Sequence, residues 1–479
     1  MNSSSTASTL VAQARTIGRS FATLSAGQLM ARMMGLVMTI QVTRVLQAEQ
    51  FGVVVFAMGM LTYVGLINDL GFNSYAPIEA ARGHHPIAEL ASAIIGIRLT
   101  LTVVALIAFA VVAQLAPVAA NHRLALLLYG LALIVDALDL VWAFHGREIM
   151  RPAAIAEIAS SFVQTAVALL FVRSPADLIL MPLLYLAGRS VAVGILISCF
   201  VRRFGLPKAR LDLALCRQLV RGSLPMSATS LVSLISHNFD IVLLGFWLGT
   251  AATGMYGAAY RVIWVPTLLI VAYYTALRPI IARASVTGLA ALEGLIERSS
   301  RLTAAASVGV LVGGVMLARP TLELLYGTGY TAASQSLQLL SAALALLILS
   351  RTYRIILMAF HQQHRDLLIM ALAAAINIGL NVLLIPTYSL SGSALASLAS
   401  ELFILLAGYV VTRKTLRHVP LGRHLWRPAL CALPLILFLA LTPAWYVLAR
   451  IALGGLIYGL LIVIVRAVDL KELRYVFGR

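Results

Sequence analysis

Apolar runs of about twenty residues, each broken by arginine, glycine or proline, recur along the chain from residue 20 to residue 466. Fourteen runs stand out: 20–43, 53–76, 90–114, 124–144, 153–172, 178–200, 224–248, 254–277, 301–318, 334–358, 366–386, 391–412, 428–446 and 447–466. A helix crosses the roughly 30 Å hydrocarbon core of a bilayer with about 20 mostly apolar residues. Each run is therefore predicted to be a helix, numbered here as spans 1–14. Helices and closed barrels alone satisfy their backbone groups in lipid, and barrel strands would be shorter and alternating. Spans 13 and 14 are parted only by the Thr442–Pro443 break.

Composition agrees with the pattern. Hydrophobic residues make up 61% of the chain and charged residues 11%, where a soluble domain carries about 25% charged. Mean hydropathy is +0.94. With the N-terminus inside, 27 of the 36 basic residues fall in cytoplasmic connections or at their edges. Arg351, Arg354 and Arg365 around the end of span 10 are counted among them, and Lys471, Arg474 and Arg479 in the tail. Five basic residues fall outside, Arg450 among them. Such asymmetry is the positive-inside signature, and one span more or fewer would invert it downstream. Both termini are thus expected in the cytoplasm.

The net charge of +18 reads as orientation signal and contact with anionic lipid, not nucleic-acid binding. Met1–Leu10 lacks the basic start and cleavage site of a signal peptide. Cys199, Cys216 and Cys431 have no metal-ligand spacing and no disulfide framework. The connections are short, so no extramembrane catalytic domain is expected, and no nucleotide-binding or metal motif occurs. The chain is read as a non-enzyme with no cofactor.

The sequence also repeats itself. Shifted by 202 residues, Ser25-Ala26 meets Ser227-Ala228, Leu46 meets Leu248, Gly52 meets Gly254, Ala57 meets Ala259, and Pro77-Ile78 meets Pro279-Ile280. Matches at Gly and Pro weigh most, because both constrain the backbone. Six spans separate the copies, so both enter from the same side, as parallel repeats do. The fold class expected is an all-α polytopic membrane protein of fourteen helices. Two six-helix lobes, 1–200 and 224–413, are joined by a cytoplasmic linker, 201–223, and followed by a helix pair and tail, 414–479. Lobes so related predict a cavity opened to each face in turn.

Four segments carry a family resemblance. TRVLQAEQFGVVVFAMGML (43–61) with NDLGFNSYAPIEAAR (68–82), FDIVLLGFWLGTAATGMYGAAYRV (239–262), LYGTGYTAAS (325–334) and NIGLNVLLIPTYSLSGSALASLAS (377–400) resemble polysaccharide flippases of the Wzx type, in the MOP superfamily. The resemblance implies transfer of undecaprenyl-pyrophosphate-linked oligosaccharide from the inner to the outer leaflet of a bacterial cytoplasmic membrane. Lipid-linked oligosaccharide, membrane lipids, and a polymerase and glycosyltransferases of O-antigen or exopolysaccharide assembly are the implied partners. A lipid II flippase is the nearest alternative, and a MATE-type cation-coupled exporter a further one.

Candidate chemistry lies inside the spans. Arg32, Arg98, Arg189 and Arg261 fall within spans 1, 3, 6 and 8. Each arginine at a helix centre costs roughly 2.5–3.5 kcal/mol, so the four are expected to face a wet cavity or a partner. Guanidinium forks match the oxygens of a diphosphate. The competing reading pairs them with Asp69, Asp136, Asp139, Glu157, Asp240 or Glu401 as structural bridges. Tyr256 and Tyr260 are candidates for stacking on sugar, with interfacial anchoring as the bland reading. Asn377 and Asn381 share a face of span 11 and are candidates for sugar or interhelical hydrogen bonds. Asp240, Asp69 and Glu401 are candidate ion-coupling carboxylates, with H⁺ or Na⁺ as the ion. His237 is a titratable residue whose commoner role is helix packing.

Overall fold

The computed structural model describes residues 3–468, apart from 208–211 and 414–421. The tail bases Lys471, Arg474 and Arg479, the linker residues Lys208 and Arg210, and the side chain of His237 lie outside the described set. The described chain is helical throughout, with no strand. In order the helices are α1 (Ser3–Asp69), α2 (Phe72–Arg82), α3 (Ile87–Leu115), α4 (Ala120–Gly130), α5 (Ala132–Ala137), α6 (Val141–Gly146), α7 (Met150–Phe171) and α8 (Leu180–Phe204). They continue with α9 (Leu213–Leu248), α10 (Thr250–Thr287), α11 (Leu289–Tyr326), α12 (Ser334–Ala359), α13 (Gln363–Arg413), α14 (Trp426–Leu441) and α15 (Val447–Ile464). Short 3₁₀ turns precede α8 and α12.

Ten helical stretches among the described residues are long and apolar enough to cross a membrane. Two of them, Gly27–Arg82 with 56 residues and Gln363–Arg413 with 51, exceed any single crossing at about 1.5 Å per residue. Both bend at a non-helical residue, Gln47 in α1 and Ser389 in α13, and the first is broken again at Leu70–Gly71, between α1 and α2. Every expected span falls mainly within described helix; the number of crossings remains the sequence's expectation. Side chains such as Val103, Ile107, Val111 and Leu115 on α3 are more than half exposed. Continuous apolar surface of that kind is foreign to soluble monomers and suits lipid. The protein is a multi-pass membrane protein.

Three segments depart from the uniform helices expected. Span 2 breaks at Leu70 and Gly71, both with positive φ. A Cβ on Gly71 would lie 2.6 Å from the backbone nitrogen of Ser227 and 2.8 Å from the carbonyl oxygen of Ser223, so glycine meets both the left-handed φ and the close approach of α9. Span 4 is divided into α4, α5 and α6, with breaks at Leu131 and at Leu138–Leu140. The 201–223 connection is largely helical, because α8 runs on to Phe204 and α9 starts at Leu213. Asp212 caps α9, its Oδ1 accepting from the N–H of Ala214 at 2.8 Å, as an N-cap aspartate does.

The chain divides into two compact units, Met1–Gly254 and Met255–Arg479. The first has a core of Phe72, Leu90, Ile94, Trp142, Phe144, Phe200 and Leu219. It also contains the repeat-related glycines in mutual contact. A Cβ on Gly52 would fall 1.7 Å from the carbonyl oxygen of Thr250, and a Cβ on Gly254 2.0 Å from that of Ala48. Ala48 and Thr250 are themselves 202 apart, so the two close approaches are equivalent under the repeat. The second unit packs Tyr274, Leu277, Ile296, Tyr353, Ile356 and Leu405 together. There α15 docks on α11 through Tyr458, whose hydroxyl donates to the carbonyl of Ala305 at 2.8 Å.

Candidate functional site

The breaks in spans 2 and 4 leave backbone groups without helical partners, and in lipid such groups must be satisfied by other means. The surrounding polar side chains do this. Asn68 donates to the carbonyl of Leu133 at 2.9 Å and accepts from the hydroxyl of Thr102 at 2.8 Å. Asp139 Oδ1 accepts the N–H of Val141 at 2.8 Å. Asp69 receives the N–H of Asn73 at 3.2 Å. Arg98 Nη1 donates to the carbonyl oxygen of Asp139 at 3.0 Å.

Two arginines tie these pieces together. Arg98, only 2% exposed, forms an ion pair with Asp69 and donates to Asn73 Oδ1 at 3.2 Å. Its guanidinium carbon lies 5.9 Å from the centre of the Phe72 ring. Arg189 Nε donates to Asp136 Oδ1 at 2.7 Å, and its Nη2 to Asp139 Oδ2 at 2.9 Å. Asp139 thus links both arginines, one through its carbonyl and one through its carboxylate. Arg98 and Arg189, expected as phosphate contacts, are held in the carboxylate bridges that the competing reading anticipated. Five charged side chains from α1, α3, α5, α8 and the α5–α6 break converge where two spans are broken. Discontinuous helices recur where membrane transporters hold ions and substrates.

Arg32 is exposed on the surface of α1, and α7 carries Glu157 within electrostatic reach of Arg32 and Arg189. Asp240 is 5% exposed, and its Oδ1 accepts the N–H of Ile241 at 2.9 Å. Tyr63 is its electrostatic neighbour and donates to the carbonyl of Leu234 at 3.3 Å. Asp240 is therefore engaged near the α1–α9 packing, apart from the Asp69 cluster.

In the second unit, Arg261 on α10 is half-buried and acts electrostatically on Tyr326 and Tyr330. Tyr326 and Tyr330 have ring centres 5.7 Å apart. Tyr256 and Tyr260 stack, with ring centres 6.3 Å apart at 27°. Tyr256 is fully buried, which removes it from an interfacial position. Asn381 Nδ2 donates to the carbonyl oxygen of Asn377 at 2.9 Å and to its Oδ1 at 3.0 Å. The pair binds within its own helix, and Asn381 Oδ1 is buried without a hydrogen bond. Glu401 on α13 faces Arg351 and Arg354 of α12 electrostatically. Arg351 was counted with the cytoplasmic connections, but α12 continues eight residues beyond it, to Ala359. Among the described residues no group of three or more His, Cys, Asp or Glu side chains is placed to hold a metal ion.

Comparison with known proteins is decisive at the level of family. The family described as polysaccharide biosynthesis protein matches residues 17–285, more than half of the chain. The chain belongs to the polysaccharide biosynthesis protein family. A second family, the lipid II flippase MurJ, matches residues 213–465, so the two overlap across span 7 and span 8. A candidate O-antigen transporter of Escherichia coli (strain K12) is 26% identical over 371 residues, covering 75% of this chain and 88% of that one. Among solved structures, a lipid II flippase MurJ in its inward closed conformation matches with a TM-score of 0.76 at 15% identity, covering 92% of this chain and 98% of that chain. An inward-facing multidrug resistance MATE transporter of the MOP superfamily matches with a TM-score of 0.63 at 13% identity, covering 84% of this chain and all of that one. At such identities the likeness is one of fold, and it is the MOP fold that the Wzx-type motifs implied. The polysaccharide biosynthesis assignment and those motifs agree.

Proposed function

We propose that this protein flips undecaprenyl-pyrophosphate-linked oligosaccharide from the inner to the outer leaflet of the bacterial cytoplasmic membrane, by alternating access, during surface polysaccharide assembly. The observation that carries this reading is the pair of family matches, polysaccharide biosynthesis over residues 17–285 and lipid II flippase over 213–465. Both concern glycans, and the second names a lipid-linked one. The E. coli relative named for O-antigen points the same way. In this reading both termini are cytoplasmic, and residues 1–200 and 224–413 act as lobes with 414–479 as an appended pair. Polymerase and glycosyltransferases of the pathway supply and consume the carrier.

Arg32 and Arg261 are the arginines of this scheme that meet the diphosphate. Arg98 and Arg189 fix the broken spans beside the path. Tyr256 and Tyr260 shape the wall near Arg261, and Asn377 and Asn381 are assigned to a polar lining for sugar. Asp240, Asp69 and Glu401 remain the coupling carboxylates, taking H⁺ or Na⁺.

The test is complementation of a strain lacking its own O-antigen flippase. Restored surface polysaccharide, with lipid-linked repeat units no longer accumulating inside, is expected. Persistent accumulation at normal protein levels refutes the reading. The second reading, lipid II transfer, is favoured by the match of residues 213–465 to the MurJ family. Rescue of cells depleted of their lipid II flippase, without rescue of O-antigen export, would establish it instead.

A further inference from the structure

Two of the membrane-crossing stretches in the first unit, Gly27–Arg82 and His122–Gly146, end beside one another. An open groove of about 510 Å³ lies where they end. From α2 come Pro77, Ile78, Ala81 and Arg82; from the end of α6 and the turn after it come His145, Gly146 and Glu148. The two elements touch at backbone level, since a Cβ on Gly146 would fall 2.7 Å from the carbonyl oxygen of Pro77 and 2.7 Å from the Cβ of Ala80. Cavities of roughly 300–1,000 Å³ are the size of small-ligand sites.

Two opposite charges in this lining are held in place. Arg82 Nη1 donates to Glu79 Oε2 at 3.1 Å, and the Tyr75 hydroxyl donates to the same oxygen at 3.2 Å. The Glu79 side chain is 2% exposed while that of Arg82 is 53% exposed, so a buried carboxylate anchors a guanidinium that still faces the groove. Tyr75 is itself wedged against α9, where a Cβ on Gly222 would collide with its hydroxyl. Glu148 is set by the turn that ends α6. The N–H of Ile149 donates to the carbonyl of Phe144 at 2.9 Å, which closes the helix in the Schellman manner. Glu148 thereby takes the left-handed position, with φ 59°, that Gly83 takes just past α2 with φ 71°. His145 is assigned no contact, because its Nε2 is buried and without a hydrogen bond. Polarity is graded along the groove. Ile78, 42% exposed, precedes Arg82 by one turn and lies about 6 Å nearer the middle of the span.

We propose that this groove seats one phospholipid whose headgroup bears a primary ammonium, with Arg82 on the phosphate and Glu148 on the ammonium. Apolar surface toward the bilayer, then a cation, then an anion across from it, is the order that such a lipid complements with acyl chain, phosphate and amine. The guanidinium donates to phosphate oxygens, and the carboxylate accepts from the N–H groups of an ammonium. A trimethylated ammonium keeps the charge and has no N–H to donate, while a glycerol headgroup brings only its negative phosphate to Glu148. The chemistry therefore selects the ethanolamine class over choline and glycerol. The leaflet, the inner one, follows from the orientation proposed above; the recognition itself does not depend on it.

The test is lipid binding by the full-length protein purified in detergent, followed by native mass spectrometry. The probes are phosphatidylethanolamine, phosphatidylcholine and phosphatidylglycerol with identical acyl chains. Wild type is expected to bind the ethanolamine lipid about fivefold more tightly than the other two, the upper range for an exposed ion pair. Glu148→Gln and Glu148→Gly should both abolish that preference. The glycine variant also relieves the left-handed φ, so its loss of preference is not a loss of fold. Arg82→Ala should weaken binding of all three lipids. If it does not reach the membrane because Glu79 is stranded, Arg82→Ala combined with Glu79→Gln removes both charges and should show the same weakening. Equal binding of the ethanolamine and choline lipids by wild type overturns the proposal, as does a preference unaltered in both Glu148 variants. Glycerophosphoethanolamine binding as tightly as the intact lipid would show a soluble-headgroup site and overturn the lipid assignment. Farnesyl diphosphate binding more tightly than phosphatidylethanolamine would give the groove to the carrier and overturn it too. Complementation reports on transport alone, so failure there refutes the flippase reading and leaves the lipid result standing.

Discussion

Replacing Arg98 by alanine tests whether the broken spans are held by charge. The substitution strands Asp69, which keeps only the long N–H contact from Asn73 at 3.2 Å, and leaves the Asp139 carbonyl without its Arg98 donor. Removing one member of a buried pair costs roughly 3–5 kcal/mol, a large share of the about 5–15 kcal/mol that keeps a typical domain folded. For a unit of 254 residues, that corresponds to a fall in melting temperature of about 6–20 °C. The assay is membrane abundance together with thermal unfolding of the detergent-purified protein, followed by size-exclusion chromatography. Arg98→Ala should lose most of its abundance. Arg98→Ala combined with Asp69→Asn should recover most of it, because the second change removes the stranded charge. Normal abundance and melting temperature in Arg98→Ala, with transport abolished, would refute the structural role and return Arg98 to the substrate path.

Other outcomes follow from the same geometry. Gly52→Ala and Gly254→Ala should each reduce folded protein sharply, because the added carbon meets a carbonyl oxygen at 1.7 or 2.0 Å; Gly35→Ala, with open space around its Cβ, should be near neutral by the same abundance measurement. Arg32→Ala and Arg261→Ala should leave abundance near normal and lower surface polysaccharide in the complementation test at least about tenfold, with lysine rescuing only in part because it lacks the forked donors; full complementation by both variants sinks their assignment to the diphosphate. Burial first, and then Arg301, hold the His424 imidazole below its usual range. The unfolded chain therefore takes up this proton first, and stability should fall as pH drops below about 6.5. Melting curves of His424→Phe against wild type should show a shallower acid dependence in the variant, and parallel curves refute the argument.

The apolar helices were legible because hydropathy is a local property that a bilayer imposes on every crossing. The Gly52–Gly254 contact was half legible. The 202-residue offset marked both glycines as equivalent, but a repeat does not reveal that its copies touch. The pairing of Arg98 with Asp69 and of Arg189 with Asp136 and Asp139 was present only as one arrangement among several, since 29 to 53 residues separate the partners. The breaks at Leu70–Gly71 and Leu138–Leu140 left no hydropathic trace, because a kinked span is as apolar as a straight one. Arg351 was assigned to the cytoplasmic edge because counting loop charge treats an arginine near a span's end as part of the connection. Span 10, read as 334–358, already enclosed Arg351, and α12 ends one residue later, at Ala359.

The bridge between Arg189 and span 4 also imposes an order on biogenesis. Asp139 is made fifty residues before Arg189, an interval of about 3–10 s at typical synthesis rates. Throughout that interval spans 2, 3 and 4 can engage Arg98 with Asp69 and the Asp139 backbone, while both span 4 carboxylates await their cation. The two carboxylates of span 4 are therefore made well before the cation that pairs with them, and the bridge can close only once span 6 has been synthesised.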